Sequence, residues 1–341
     1  MRTDDVIEMY SRYPYPSPAI GGSLAYDVAS LFSLLCGNDA LEGRSVLDAG
    51  CGTGQRVVGF AHRYPGARVH GIDAAEASLH VARELAERHE VRNVAFSRQD
   101  IMRLEMEEKF DFIISTGVVH HLEDPRRGLH NLCRHLAADG VICIWHYHPF
   151  GEQDRLLSRE LLLTLWGEYR SDLARGQRLM EQLQLRLVPG RYGHGVEAAP
   201  PESRRARLSA DADAFMHPIV NAYRFGEAMA MFRESGVEWV AVNGINTPAA
   251  TKLIDLEGVE EIAGDGCLRS ADLFQAEEPR EHFDALSRID RLKVIELMMK
   301  PTGFTIMAGR GDSLQRLTRR IAGNAVPAGD CASVASAMET K

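Results

Sequence analysis

Three glycines at alternate positions, placed between an apolar run and an amphipathic stretch, constrain this chain more than any other feature. Residues 46–55 read Val-Leu-Asp-Ala-Gly-Cys-Gly-Thr-Gly-Gln. Because glycine has no Cβ, Gly50, Gly52 and Gly54 permit a tight turn and let the backbone lie against a ligand. A helix that begins near Gln55 points free N–H groups and its positive dipole end at that ligand. The loop therefore predicts a strand–turn–helix unit with a ligand at the turn.

The spacing of these glycines separates several classes of nucleotide-binding protein. The loop has the pattern GxGxG, with Asp48 two positions before the first glycine, whereas the dinucleotide fingerprint is GxGxxG. A nicotinamide-dependent oxidoreductase is therefore disfavoured. The chain contains no GxxxxGK[ST] segment, which excludes a P-loop nucleotide hydrolase.

Short apolar runs alternate with amphipathic stretches over residues 45–146. The pattern predicts strands over 45–49, 67–72, 94–97, 110–115 and 141–145, and helices over 55–63, 76–89 and 125–138. A further helix over 225–235 and strands over 237–242 and 302–308 extend the sheet to seven strands. Repeated βαβ units place helices on both faces of a parallel sheet. The predicted fold class is α/β, a doubly wound, mostly parallel seven-stranded sheet with helical cap insertions.

The amino-acid composition indicates which partners the protein can bind and in which cellular compartment it works. The chain of 341 residues has 39 Lys and Arg against 48 Asp and Glu, which is a formal net charge of −9. An acidic chain is repelled by phosphate backbones, so nucleic acid is not expected as a partner. The cysteines have no CxxC or CxxH spacing, and no apolar run reaches the length of a membrane span. We expect a reduced, cytoplasmic protein without a membrane segment.

Four residues of the glycine loop, Asp48, Gly50, Gly52 and Gly54, match the first motif of the class I S-adenosylmethionine-dependent methyltransferases, which this chain resembles. Later segments fall where that family has its other motifs. They are His-Gly-Ile-Asp at 70–73, Gln-Asp-Ile at 99–101, Ser-Thr-Gly-Val at 115–118 and His-His-Leu-Glu-Asp-Pro at 120–125. The resemblance covers residues 45–146 and, as the final helix and strands, 225–309. It implies S-adenosyl-L-methionine as the cofactor.

The resemblance also implies a role for residues beyond the glycine loop. Asp73, at the end of the second strand, would accept hydrogen bonds from the ribose hydroxyls, and the same carboxylate is typical of a helix N-cap. Asp100 would hold the adenine amino group and Ile101 the ring; the alternative for Asp100 is a solvated loop residue. Thr116, at the end of the fourth strand, would lie beneath the cofactor. Without the cofactor, Asp48 would be a turn-forming carboxylate.

Histidines follow the fourth and fifth predicted strands, at the edge where the transferred methyl group would lie. A neutral imidazole at His120 or His121 would accept a proton from a hydroxyl, a thiol or an acidic carbon. The alternative is structural, with one ring capping the loop and the other packed under the cofactor. His146 and His148 are spaced to chelate a metal, but no third ligand follows at motif spacing. No metal is therefore predicted.

Aromatic and histidine side chains near the same edge are candidate substrate contacts. Tyr13 and Tyr15 are each followed by proline, which predicts an extended path, either as a lid over the cofactor or as a strap packed on the sheet. Tyr147 and His148 follow the fifth strand and are predicted to form a wall of the substrate pocket. The candidate lining from the cap comprises Trp166, Tyr169, Tyr192, Phe215 and His217.

These patterns divide the chain into five parts. They are an N-terminal lid or strap (1–40), an S-adenosylmethionine-binding core (41–149), a helical cap insertion (150–222), the end of the core (223–311) with a second insertion at 245–300, and a disordered tail (312–341). Because the insertions follow strands of the same sheet, they are expected to cap one end of it.

The predicted activity is transfer of a methyl group to a small-molecule acceptor by in-line displacement, a reaction in which the enzyme mainly aligns the acceptor and excludes water. Two other functions remain open. One is an S-adenosylmethionine-binding enzyme of different chemistry, such as intramolecular cyclisation, and the other is a non-catalytic cofactor-binding subunit. The identity of the acceptor, the atom that is methylated and the oligomeric state are not indicated by the sequence.

Overall fold

The computed structural model describes residues 3–17, 24–25, 41–167, 172–187, 204–245 and 268–313. The tail predicted over 312–341 falls almost wholly outside these ranges. Tyr169 and Tyr192 also lie outside the described residues, as do parts of the N-terminal segment, the cap and the second insertion.

The described strands form one sheet of seven. In chain order they are β1 (Ser45–Ala49), β2 (Arg68–Asp73), β3 (Val94–Arg98), β4 (Phe110–Thr116), β5 (Leu136–Tyr147), β6 (Trp239–Ile245) and β7 (Gly303–Gly309). The order across the sheet is β3-β2-β1-β4-β5-β7-β6. Neighbours from β3 to β5 are parallel, and β7 is antiparallel to both β5 and β6. The predicted mostly parallel, seven-stranded α/β fold is confirmed.

Helices connect the strands and cover both faces of the sheet. They are α1 (Thr3–Arg12), α2 (Gln55–Arg63), α3 (Glu76–Arg88), α4 (Pro125–Arg134), α5 (Gln153–Trp166), α6 (Leu173–Gln182), α7 (Arg204–Met216), α8 (Phe225–Glu234), α9 (Ser270–Leu273), α10 (Glu277–Asp284) and α11 (Arg288–Met299). Apolar side chains of α2 and α3 pack on one face of the sheet, and those of α4, α8 and α11 pack on the other. No helix in the described part of the chain is long and apolar enough to cross a membrane.

Two helix starts bring backbone N–H groups to one edge of the sheet. Gly54 is the N-cap of α2 and has a left-handed φ of 89°, a conformation that glycine adopts readily. Asp124 caps α4 because its side chain accepts a hydrogen bond from the Arg127 N–H, and Pro125 occupies the first position of the helix. Since α2 follows β1 and α4 follows β4, both helix N-termini lie at the carboxyl edge of the parallel strands.

The prediction of a helix over 125–138 is wrong at its C-terminal end. α4 ends at Arg134, and β5 begins at Leu136. Leu136 pairs with Phe110 and Val141 with Phe112, so residues 137–140 form an irregularity within β5. Pairing with β4 outweighs the helix preference of the local sequence. The strand predicted over 141–145 lies inside β5 but misses its first five residues, and the other predicted elements of the core begin and end within three residues of the observed ones.

The cap helices α5, α6 and α7 pack around an apolar cluster of their own. Met9 of α1 and Tyr13, the residue that follows α1, join this cluster. The Tyr10 hydroxyl donates a hydrogen bond to Asp213 Oδ1 at 2.7 Å, and the Tyr13 hydroxyl donates to Gln177 Oε1 at 2.9 Å. The N-terminal helix and the residue that follows it are therefore attached to the cap by apolar packing and by two side-chain hydrogen bonds.

Candidate active site

A cleft opens at the carboxyl ends of β1, β2 and β4, where the sheet meets α1. Residues from three strands, from α1 and from the loops that follow the strands line it. Seven of the residues predicted to bind the cofactor line it: Asp48, Gly50, Gly52, Asp73, Asp100, Ile101 and Thr116. Open α/β sheets bind ligands at this edge, so the cleft is the candidate active site.

The glycine loop is held in place by β2 and α3. The N–H groups of Gly50 and Cys51 both donate to the Ile72 carbonyl, at 2.8 and 2.9 Å. Gly54 is not among the described residues that line the cleft. A Cβ at Gly54 would lie 2.6 Å from the Cβ of Ala82, so this glycine allows α2 and α3 to pack closely. Gly54 thus supports the loop from behind, and its predicted role in cofactor binding stays a prediction.

The N-terminal segment crosses the same loop. The Thr53 hydroxyl donates to the Pro16 carbonyl at 2.6 Å. Gly52 has a φ of 54°, and a Cβ at this position would lie 2.5 Å from the Tyr15 carbonyl oxygen. Tyr15 and Pro16 also line the cleft. The segment both packs on the loop and borders the cleft, so Tyr15 has the contacts expected of a strap and the position expected of a lid.

Asp73 joins the end of β2 to the glycine loop. Its Oδ2 accepts a hydrogen bond from the Gly52 N–H at 2.9 Å, and its Oδ1 accepts one from the Ala75 N–H at 2.8 Å. Burial raises the pKa of this carboxyl, and the backbone donors oppose the rise. The N-cap of α3 is Ala75, so Asp73 is not the cap residue itself. Each carboxylate oxygen has two lone pairs, so Asp73 keeps acceptor capacity for a diol such as a ribose.

The residues that follow β3 place a polar side chain next to an apolar one. Asp100 Oδ1 accepts a hydrogen bond from the Met102 N–H at 2.9 Å and begins a 3₁₀ turn over Ile101–Arg103. The buried side chain of Ile101 lies directly beside it in the cleft. A carboxylate next to an apolar side chain fits the amino group and the ring of an adenine. The residues present therefore fit the adenosine half of S-adenosylmethionine.

His121 borders the cleft from a second 3₁₀ turn, Val119–His121, that follows β4. Its Nδ1 lies 2.7 Å from the Ile219 carbonyl oxygen. Because a carbonyl can only accept a hydrogen bond, Nδ1 carries the proton and Nε2 keeps its lone pair. Burial, with the nearby Arg155 and Arg159 cations, lowers the pKa of His121 to about 3. The ring is therefore neutral at physiological pH, with a hydrogen-bond acceptor at Nε2.

His120 is placed differently from its neighbour. It is fully buried and is not among the described residues that line the cleft. Its ring centroid lies 4.3 Å from that of His121 and 4.2 Å from that of Tyr147. Neither ring nitrogen has a hydrogen-bond partner among the described residues. Of the two predicted bases, His121 is the one that the fold brings to the cleft.

Four residues predicted as substrate contacts lie outside the described lining of the cleft: Tyr13, Tyr147, His148 and His217. Tyr13 packs in the cap cluster, and the Tyr147 ring stacks under Arg155, whose guanidinium carbon is 4.2 Å from the ring centroid. His217 stacks on His121 with ring centroids 3.8 Å apart and an interplanar angle of 27°. Tyr147 and His217 thus pack against the two histidines that follow β4, and their predicted contact with a substrate stays a prediction.

His148 has a structural environment on the opposite side of β5. Its Nδ1 accepts a hydrogen bond from the Phe150 N–H at 3.2 Å, so the proton is on Nε2, which donates to Glu296 Oε2 at 3.1 Å. Glu296 also accepts from Arg224 Nε at 2.6 Å. These donors lower the pKa of the Glu296 carboxyl even though its burial would raise it. The group ties the end of β5 to α8 and α11.

Several cleft residues were not expected from the sequence. They are Val6, Ile7, Tyr10, Arg56, Gln99, Glu123 and Ile219. The first three share one face of α1 at helical spacing, a signal that the sequence contains. The sequence indicates the nearby His217 as candidate lining but not Ile219, an apolar residue that the tertiary fold brings from the cap to the cleft. No three His, Cys, Asp or Glu side chains within the described ranges are grouped so as to hold a metal ion.

The chain is similar to proteins of known family and structure. Residues 41–178 match a protein family described as a methyltransferase domain. An uncharacterized protein of Synechococcus sp. is 28% identical over 320 residues, covering 90% of this chain and 72% of its own length. Malonyl-[acyl-carrier protein] O-methyltransferase of Bacillus anthracis is 36% identical over 108 residues, or 32% of this chain and 38% of that protein. The structure of PKMT2 from Rickettsia typhi has a TM-score of 0.55 at 17% identity, covering 88% of this chain and 54% of that one.

A parallel α/β sheet with a glycine loop and an acidic residue after β2 defines a Rossmann-like protein that binds a nucleoside-containing cofactor. The matched domain makes the class specific: residues 41–178 form a methyltransferase domain, similar to those of the class I S-adenosylmethionine-dependent methyltransferases, and S-adenosylmethionine is the cofactor. The resemblance seen in the motifs is confirmed. The chain spans 38% of the length of the Bacillus anthracis relative, so that protein's substrate is not assigned by this match.

Proposed function

We propose that this protein transfers the methyl group of S-adenosylmethionine to a small molecule held between the sheet, α1 and the cap. The observation that carries the proposal is the meeting of the glycine loop, Asp73 and His121 around one cleft. The first two provide polar groups for the cofactor, and His121 lies at the side that Ile219 of the cap closes. The residues proposed to bind the cofactor and the proposed proton acceptor thus line the same cleft.

When bound, S-adenosylmethionine supplies a methyl group on a positively charged sulfur. In our proposal Asp73 accepts hydrogen bonds from the ribose, while Asp100 and Ile101 hold the adenine. The backbone N–H groups at the N-terminus of α2 face the carboxylate of the cofactor, because the positive end of a helix favours a negative charge. α1 covers the cleft with Val6 and Ile7, which excludes water from the reacting atoms.

His121 is proposed as the proton acceptor for an acceptor group that keeps its proton at neutral pH. Its pKa of about 3 does not prevent this role. An oxygen that is taking a methyl group becomes positively charged, so its proton becomes more acidic than an imidazolium with such a pKa. His121→Gln should then lower kcat on a hydroxyl acceptor by about 10²-fold or more. An unchanged kcat would mean that the acceptor is already anionic and needs no base.

A small acceptor is favoured by charge and by enclosure. The net charge of −9 opposes a nucleic-acid acceptor. α1 lines the cleft and the described cap helices pack against α1, so the space beside the cofactor-binding residues is partly enclosed. The Bacillus anthracis relative is named a malonyl-[acyl-carrier protein] O-methyltransferase, and the match to it covers 32% of this chain.

The first test is binding of S-adenosylhomocysteine, followed by thermal unfolding. A ligand that binds only the folded state at 100 times its Kd adds about 2.7 kcal/mol of stability, so the Tm should rise by several degrees. Asp73→Ala should weaken binding at least tenfold, since it removes the carboxylate and its bond to Gly52. Asp284→Ala, an exposed carboxylate on α10, is the matched control and should bind normally. No Tm shift in the wild-type protein would overturn the proposed function.

The acceptor is identified by incubating the protein with methyl-labelled cofactor and a metabolite extract of the source organism. Mass analysis of labelled products reports the acceptor and the methylated atom. A labelled small molecule supports the proposal. Consumption of the cofactor without labelling of a second molecule would instead indicate intramolecular chemistry on the cofactor.

A further inference from the structure

The cap contributes a short segment, residues 217–219, that contacts His121 although it lies far away in the sequence. The Ile219 carbonyl accepts the His121 Nδ1 proton across a separation of 98 residues. The His217 ring stacks on the His121 ring at 3.8 Å. Two separate contacts from one cap segment therefore determine where the His121 ring lies and which nitrogen carries its proton.

This segment is itself held by His217. The Ile219 N–H donates to His217 Nδ1 at 3.1 Å, which closes a local turn and places the proton of His217 on Nε2. His217 Nε2 is buried and has no hydrogen-bond partner among the described residues. The position of the ring is thus explained by its stack on His121 and by the turn that it closes, not by a bond made at Nε2.

A cation from the neighbouring cap helix holds the same turn from the other side. The guanidinium of Arg159, on α5, donates from Nη2 to the carbonyls of His217 at 2.6 Å and Pro218 at 3.0 Å. With these two carbonyls turned toward Arg159, the next one along the chain, that of Ile219, faces His121. Arg159 is not itself among the described residues that line the cleft.

We propose that Arg159 and His217 are positioning residues that set the tautomer of His121, keeping Nδ1 protonated and the Nε2 lone pair available at the cleft. The inference rests on the proposed function for its consequence, which is that the cap acts on the reacting edge of the sheet through the Ile219–His121 hydrogen bond and the His217–His121 stack. In the unpositioned ring both neutral tautomers are populated, and the tautomer with a proton on Nε2 cannot accept one from a substrate. The residues therefore act on the rate of proton transfer through His121 and not on cofactor binding.

The test is the ¹⁵N spectrum of the histidine rings in the full-length protein, with His121 assigned by its absence in His121→Gln. The two nitrogens of a neutral ring have distinct shifts, so the tautomer is read directly. We expect His121 in the wild-type protein to be protonated at Nδ1. Arg159→Met and His217→Phe, which preserves the stacked ring but not the acceptor, should each produce at least one-fifth of the other tautomer. Arg159→Lys retains a donor and should restore the wild-type pattern in large part.

Arg178→Met is the matched control, because Arg178 is an exposed arginine on α6 of the same cap. It should leave the His121 signals unchanged. If Arg159→Met does not fold, His217→Phe decides. A wild-type tautomer pattern in both variants, or a His121 protonated at Nε2 in the wild-type protein, would overturn the inference. Binding of S-adenosylhomocysteine is measured on the same samples, so a failure of the proposed function is seen separately from a failure of the positioning role.

Discussion

Gly52 is the residue at which the glycine loop and the N-terminal segment meet. Its φ is 54°, and a Cβ would lie 2.5 Å from the Tyr15 carbonyl oxygen, a backbone atom that cannot rotate away. Gly52→Ala should therefore destabilise the protein by about 2 kcal/mol and weaken S-adenosylhomocysteine binding. Urea unfolding measures the first effect and calorimetric titration the second.

Gly226 provides the control for this substitution. It lies in α8, and a Cβ there meets no atom within 4 Å. Gly226→Ala should leave the free energy of unfolding unchanged or raise it by up to about 1 kcal/mol, since alanine is the better helix former. If the two variants were equally stable, the contact between Gly52 and Tyr15 would have no energetic role.

At the scale of elements, α1 is connected to α7 by the hydrogen bond from Tyr10 to Asp213. Burial raises the pKa of Asp213 to about 6, while the Tyr10 hydroxyl stabilises the ionised form. Tyr10→Phe should therefore raise this pKa further, and ¹³C titration of the Asp213 carboxyl by NMR measures the change. Tyr13→Phe is the control, because the Tyr13 hydroxyl bonds to the neutral Gln177 and its loss should leave the pKa near 6.

The raised pKa of Asp213 also determines how the free energy of unfolding changes with pH. The folded pKa of Asp213 is above the value of about 3.9 expected in the unfolded chain, so the native state binds this proton more tightly. Its contribution is fully present below about pH 4 and is lost as the pH rises through about 6, by about 3 kcal/mol in total. Asp213→Asn should flatten the fall in unfolding free energy over that range, and an unaltered pH profile would contradict the assignment.

Elements of the core follow from sequence patterns because each buries an apolar face that local spacing reveals. β1 and α2 occupy the predicted residues, and the glycine loop between them lies at the predicted edge. The end of α4 could not be predicted, because pairing of Leu136 with Phe110 is a tertiary contact. For the same reason the sequence did not separate His121 from His120: the distinction depends on Ile219, which the cap brings from 98 residues away.

On the scale of the whole molecule, the cleft is built from the sheet and from the N-terminal helix together. Val6, Ile7, Tyr10 and Tyr15 line it beside the glycine loop, so one ligand contacts both parts. S-adenosylhomocysteine should therefore slow amide hydrogen exchange in residues 50–55 and also in α1, because a ligand suppresses local opening of the elements that it contacts. Exchange followed by mass spectrometry reports both regions in one experiment. Protection of the loop with no change in α1 would mean that the N-terminal helix does not cover the bound cofactor.

The position of β7 has a consequence for how the chain is made. β6 lies at one edge of the sheet and pairs with β7. β7 lies between β6 and β5 and pairs with both strands. During synthesis, residues 239–245 therefore leave the ribosome long before residues 303–309 can pair with them. In that interval Val240, Val242 and Ile245, all buried in the finished sheet, are exposed on an unpaired strand. The nascent chain thus passes through a stage in which it is prone to aggregation, and synthesis of the last strand ends that stage.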